Sequence, residues 1–169
     1  MMEETAFREL YERTSQRLLA YLVRTSGDRA LADDVFQDTW VRMLQSERVM
    51  PAGEEAASFL FAVATNLLRD MWRRKKKSVP WEEGEMSAGA ITEFGDASDL
   101  RMTLDIMLAS ISPQQRSLLW LAYVEGYSHR DIAAMLGLRE KSVRVLIHRA
   151  KDRVATRFRT IEIQREDLR

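Results

Sequence analysis

The sequence predicts an all-α protein: two small helical domains joined by a flexible acidic linker. Three observations predict it. Apolar residues recur every three or four positions through most of the chain, with no strand alternation and no repeat of fixed period. A central stretch rich in glycine and acids has no sustained period. Charge is divided into blocks along the chain, although the 169 residues sum to a formal net charge of zero.

In the first pattern Phe7, Leu10, Tyr11, Leu18, Leu19 and Leu22 lie at helical spacing and stop before Gly27, so a helix spans Glu3 to Thr25. Asp28 can cap a second helix ending near Ser46, in which Leu31, Val35, Phe36, Thr39, Trp40, Met43 and Leu44 form a broad apolar face. Pro51 and Gly53 mark a loop. Ser58 then begins a third pattern through Phe59, Leu60, Val63, Ala64, Leu67, Met71 and Trp72, which runs into five consecutive basic residues from Arg73 to Lys77. The aperiodic linker follows. Beyond it Leu100, Leu104, Met107, Leu108 and Ile111 read as one helix, and Ser112-Pro113-Gln114-Gln115 supplies an N-cap, a proline at the first helical position and a capping-box glutamine for another, which ends at Glu125 before Gly126. The expected divisions are a domain over 1–77, a linker over 78–98, a second domain over 99–160 and a tail over 161–169.

Composition excludes several kinds of chemistry. With no cysteine there is neither a disulfide framework nor a thiolate metal site, and with only His129 and His148 a histidine-rich metal centre is excluded. No cofactor, metal, catalytic residue or small-molecule substrate is expected. The chain opens on Met-Met-Glu-Glu-Thr without a basic segment before an apolar run, and no stretch approaches the roughly 20 apolar residues of a membrane span, so a soluble cytoplasmic protein is expected. Residues 63–80 carry six Lys or Arg against one acid and residues 126–159 carry nine against three, whereas residues 81–105 hold seven acids and one Arg. Two cationic islands flanking an acidic stretch fit a nucleic-acid partner despite the neutral total.

The C-terminal island carries the motif. Ser128 and Asp131 form a capping box that opens a short helix through Ile132, Ala133 and Leu136, broken by Gly137. A new helix starts near Glu140. At about 100° per residue, Val143, Ile147, Ala150 and Val154 share one side with Leu146 beside them. The other side presents Lys141, Val145, His148 and Asp152, flanked by Arg144 and Arg149, with Arg139 at the turn. Arg and Lys donate to guanine edges or phosphates, and a small apolar side chain such as Val145 can meet a thymine methyl. Most cationic helix faces are only solvated, but the capped short helix, small Ala133, Gly137 at the turn and Val143 as anchor together favour a helix-turn-helix that binds DNA.

From Asp131 to Arg144, Asp-Ile-Ala-Ala-Met-Leu-Gly-Leu-Arg-Glu-Lys-Ser-Val-Arg, and on through His148-Arg-Ala-Lys-Asp-Arg-Val, the chain resembles the promoter-binding domain of small bacterial sigma factors, their region 4. Ala30 to Leu44 is similar to the polymerase-clamp helix of region 2 in the same family, and Ser58 to Arg74, with Phe59-Leu60, Asn66 and Arg69, to its melting and minus-10 segment. Two such domains in this order, without others, look like the extracytoplasmic-function (ECF) group of the sigma-70 family. The resemblance implies a non-enzymatic protein that binds core RNA polymerase at the clamp coiled-coil and flap, opens the minus-10 element and reads the minus-35 element. An anti-sigma factor is the further partner it implies.

Carried over residue by residue, the resemblance gives Asp34, Gln37, Asp38 and Arg42 as polymerase-binding. It gives Phe59, Asn66, Arg69, Arg73 and Arg74 to the minus-10 DNA, while the outer face of the second helix of the helix-turn-helix, with Arg139, Lys141, Ser142, Arg144, Val145, His148 and Arg149, supplies the candidate contacts to the minus-35 DNA. Trp40, Phe61 and Trp72 have the helical spacing of core residues. The chain departs from the family at Ala62, where an Arg is frequent, and at Val145-Leu146, where Ser-Arg is common. The competing reading is a stand-alone helix-turn-helix regulator, which would act as a two-fold dimer on half-sites about 34 Å apart. A nuclease is weaker still, since Asp33, Asp34 and Asp38 lie on one helix with no second carboxylate motif.

Overall fold

The computed structural model describes residues 3–46, 53–75 and 105–167, and these are helical apart from their turns. The order is α1 (Glu4–Ser26), α2 (Arg29–Gln45), α3 (Glu54–Lys75), α4 (105–109), α5 (Pro113–Tyr123), α6 (His129–Leu136) and α7 (Glu140–Glu166). The expected linker, Pro51, Lys76, Lys77, Leu100 and Leu104 lie outside the described residues.

Local chemistry sets the helix ends. α1 stops at Gly27, whose φ of 67° lets its N–H reach back to the Val23 carbonyl. The Asp28 carboxylate accepts from the Leu31 N–H at 3.1 Å and starts α2. α3 begins at Glu54, a turn earlier than Ser58 suggested. Gly53, at φ 70°, turns the chain into the helix, and Glu54 and Glu55 occupy the first turn, where carboxylates complement the helix dipole. The capping box of α5 forms as read, with the Gln115 N–H on Ser112 Oγ and the Ser112 N–H on Gln115 Oε1. α5 ends at Tyr123 rather than Glu125, because the N–H groups of Val124 and Glu125 both turn onto the Trp120 carbonyl and that of Tyr127 reaches Leu121. α7 continues without a break past 160 to Glu166.

α1, α2 and α3 pack together, and α5, α6 and α7 form the second group. The two groups share one buried cluster: Leu18, Leu22, Leu60 and Leu68 belong to it together with Leu118, Leu121, Ile132, Leu136, Val143 and Ile147. α5 lies on α1, and α6 lies on α3. Trp40, Phe61 and Trp72 are core residues, as their spacing predicted. The core also takes Tyr21, whose hydroxyl meets Thr65 Oγ1 at 2.6 Å; burial pushes that phenol up to about 12. Leu44, read into the apolar face of α2, is instead half exposed at 51%.

Among the described residues, three polar links join α1 and α3 to the later helices. Arg17 donates from Nη2 (2.7 Å) and Nε (3.1 Å) to Oε2 of Glu125, whose other oxygen accepts from Trp120 Nε1. Burial alone would lower the Arg17 pKa, but the Glu125 bond and charge raise it. Arg24 pairs with Asp105. The third link joins Asn66 and Arg69 of α3 to the end of α6.

Candidate nucleic-acid interface

The helix-turn-helix is built from the second group. Ser128 Oγ accepts from the Asp131 N–H at 3.0 Å, and the Asp131 carboxylate accepts in return from the Ser128 N–H (3.2 Å) and hydroxyl (2.7 Å). Those bonds hold the Asp131 carboxyl below its ordinary 3.8. The turn needs Gly137 for its φ of 65° and not for space, since a Cβ there would meet nothing within 4 Å. Leu138 donates back to the Ala133 carbonyl, closing the turn, and Arg139 starts α7.

α7 buries Val143, Ile147 and Ala150, with Leu146 and Val154 half-buried, so its inner side is the one the periodicity gave. Arg139, Lys141, Arg144, Val145, His148 and Arg149 are exposed, and Ser142 is half-buried. Arg139, Lys141, Ser142, Val145 and Arg149 line one shallow concavity of about 290 Å³ with Leu146. Arg144 and His148 lie outside that lining. Each is engaged along the helix instead, Arg144 with Glu140 at 3.2 Å and His148 with Asp152 at 3.4 Å.

In the first group Asp34, Gln37, Asp38 and Arg42 are all exposed along one side of α2. Sequence reasoning missed their apolar companion: Val41, 47% exposed, falls within the same stripe at the i, i+3, i+4, i+7 spacing. The only signal was that Val41 stands outside the α2 core pattern. Phe59 is half-buried against the core, and Arg73 and Arg74 are exposed, Arg73 being 4.0 Å from Asp70. Asn66 and Arg69 are turned inward. Asn66 Nδ2 donates to the Met135 carbonyl at 3.5 Å and Arg69 Nη1 to the Leu136 carbonyl at 3.1 Å, which satisfies end carbonyls of α6 at the negative end of its dipole. Burial, then the neighbouring charge of Arg73, lowers the Arg69 pKa.

Residues 10–78 match the family model for sigma-70 region 2, and residues 101–154 match that for sigma-70 region 4. The ECF RNA polymerase sigma factor SigL of Mycobacterium tuberculosis is 31% identical over 88% of this chain and 86% of its own. The chain belongs to the sigma-70 family, in its ECF group. The RNA polymerase sigma factor CarQ of Myxococcus xanthus is 27% identical over 95% of this chain and 94% of its own. The solved structure of the sigma factor RpoE in complex with the anti-sigma factor NepR from Bartonella quintana shares the fold, with a TM-score of 0.64 at 20% identity over 90% of this chain and 96% of that one. The sigma factor thus directs RNA polymerase to start at specific promoters, binding polymerase and promoter DNA without enzymatic activity of its own. Among the described residues there is no cluster of His, Asp and Glu able to hold a metal ion, and no helix is long and apolar enough to cross a membrane.

Proposed function

We propose that the sigma factor divides its work between its halves, residues 1–77 engaging polymerase and the minus-10 element and residues 99–160 reading the minus-35 element across the 78–98 linker. The observation that carries this reading is the shared concavity on α7, where Arg139, Lys141 and Arg149 surround Val145. Cations for guanine edges and phosphates and a methyl-sized apolar contact for thymine are what a major-groove reader needs. On the first half, the exposed stripe of Asp34, Gln37, Asp38, Val41 and Arg42 is the surface offered to the clamp coiled-coil, an apolar centre rimmed by polar groups. Phe59, Asn66, Arg69, Arg73 and Arg74 hold the opened strand, the cations on phosphates and the amide and ring on bases.

In this reading Asn66 and Arg69 reach DNA only after they leave the α6 carbonyls, so the halves part when polymerase and promoter are engaged. The flap binds the second half, an anti-sigma factor holds the protein inactive as NepR is found on its Bartonella relative, and the setting is the cytoplasm. The test is co-elution with bacterial core RNA polymerase followed by transcription from a library of promoter fragments. Productive association yields the promoter motif directly. Failure to associate, with sequence-specific DNA binding by a two-fold dimer, transfers the assignment to the stand-alone regulator.

A further inference from the structure

The outer face of α7 carries two apolar residues that can make no hydrogen bond to a base. Ser142, Val145, Leu146 and Arg149 follow the i, i+3, i+4, i+7 spacing that gathers four side chains into one patch, and Arg139 and Lys141 complete the same concavity at its N-terminal edge. Val145 is 41% exposed and takes no part in the buried core. Leu146 is half-buried, packing on the core with one side and lining the concavity with the other. A single exposed valine is ordinary on a protein surface. Here it adjoins a leucine, three cations surround the pair, and among the described residues no acid lines the concavity.

We propose that Val145 and Leu146 form the two walls of a recognition site for the C5-methyl group of a pyrimidine in the minus-35 element, and that this site accepts 5-methylcytosine as it accepts thymine. The proposal rests on the minus-35 reading above and names what that surface selects. In the major groove the base edges differ by their hydrogen-bond donors and acceptors and by one apolar feature, the thymine methyl. Side chains without a polar atom can select only that feature. Cytosine lacks it and gains it on methylation at C5, so the same contact separates methylated from unmethylated cytosine. The two methylated pyrimidines differ at C4, where thymine presents an acceptor and cytosine a donor. Ser142 stands in the same patch, and its hydroxyl either donates or accepts, so it excludes neither base. Arg139, Lys141 and Arg149 serve guanine edges and phosphates, contacts that supply affinity without sensing the methyl. Promoter choice by this sigma factor therefore responds to cytosine methylation of the DNA.

The experiment measures the affinity of the holoenzyme, formed with bacterial core RNA polymerase, for a promoter recovered from a fragment library. Each minus-35 thymine is replaced in turn by deoxyuridine, and at the responsive position a C·G pair is compared with its 5-methylcytosine form. Both comparisons change one methyl group and no hydrogen bond. The expected result in each is about fourfold tighter binding with the methyl present, the factor that burial of one such group gives. Val145→Ser, at an exposed position, should bring both ratios below about twofold, and Leu146→Ala should do the same. Lys141→Ala should weaken binding to methylated and unmethylated DNA alike and leave both ratios unchanged. A minus-35 element without thymine on either strand, a wild-type ratio near one at every such thymine, or a methyl effect for thymine but not for cytosine overturns the proposal and leaves the minus-35 reading in place. Ratios that survive both Val145→Ser and Leu146→Ala do the same. A holoenzyme that protects no minus-35 DNA, or whose protection is indifferent to Lys141→Ala and Arg149→Ala together, overturns that reading and the proposal with it.

Discussion

At the scale of the residue, Asn66 and Arg69 carry two roles in sequence, one seen and one proposed. In the closed molecule they cap the carbonyl end of α6; in the proposed open complex they hold unpaired promoter bases and phosphates. Arg69→Ala or Asn66→Ala should therefore reduce permanganate reactivity of the minus-10 bases while binding to polymerase stays intact, and unchanged reactivity would remove both residues from strand opening. On α7 the two kinds of cation separate by geometry. Lys141 lines the shared concavity, whereas Arg144 is turned to Glu140 in an exposed pair of the kind that contributes little. Lys141→Ala should lose about 1–3 kcal/mol of discrimination if it makes a base contact, read as weaker transcription at sub-saturating protein. Arg144→Ala should weaken it less.

At the scale of the element, α6 has only eight residues and depends on its ends. Ser128→Ala removes the acceptor for the Asp131 N–H and should cost about 1 kcal/mol, visible as a lower Tm. The reciprocal half of the box is pH-dependent. The folded-state pKa of Asp131 lies below its ordinary 3.8, so its contribution is fully present above that value and is lost as pH falls through the folded-state pKa. The protection of the Ser128 amide, taken relative to intrinsic exchange at each pH, should accordingly fall in acid in the wild type, and Asp131→Asn should flatten that dependence. On α2 the exposed Val41 tests the polymerase surface apart from stability. Val41→Glu should leave Tm nearly unchanged and strongly weaken co-elution with core polymerase; retained binding would move the contact elsewhere.

At the scale of the whole molecule, a shared core and polar links hold the halves together. The Glu125 side chain is 4% exposed and receives Arg17 twice and Trp120 once, so it is the most sensitive point of the contact. Glu125→Gln keeps the shape and removes the charge, which should weaken the association by roughly 1.5–3 kcal/mol, the range for hydrogen bonds to charged groups. Small-angle scattering should then show a larger radius of gyration, and binding of single-stranded minus-10 DNA should strengthen as Asn66 and Arg69 are released. An unchanged radius with unchanged DNA binding would mean that the apolar contacts alone hold the halves closed.

The helices, their caps and the turn of the helix-turn-helix were determined by the sequence, because Asp28, Ser112, Ser128, Gly27 and Gly137 act on backbone groups within a few residues and periodicity marks an inner face on its own. The inner side of α7 and the exposed stripe of α2 were legible for the same reason. The burial of α3 was less so: α1 and α2 cover one side and α6 another, so Phe61 and Leu68 are buried beyond the single face that periodicity describes. Only the tertiary structure decided that Arg17 meets Glu125, 108 positions away, and that Asn66 and Arg69 face α6. Those pairings join elements far apart in the chain, and their partners are chosen by how packed helices meet, which no local pattern of residues encodes.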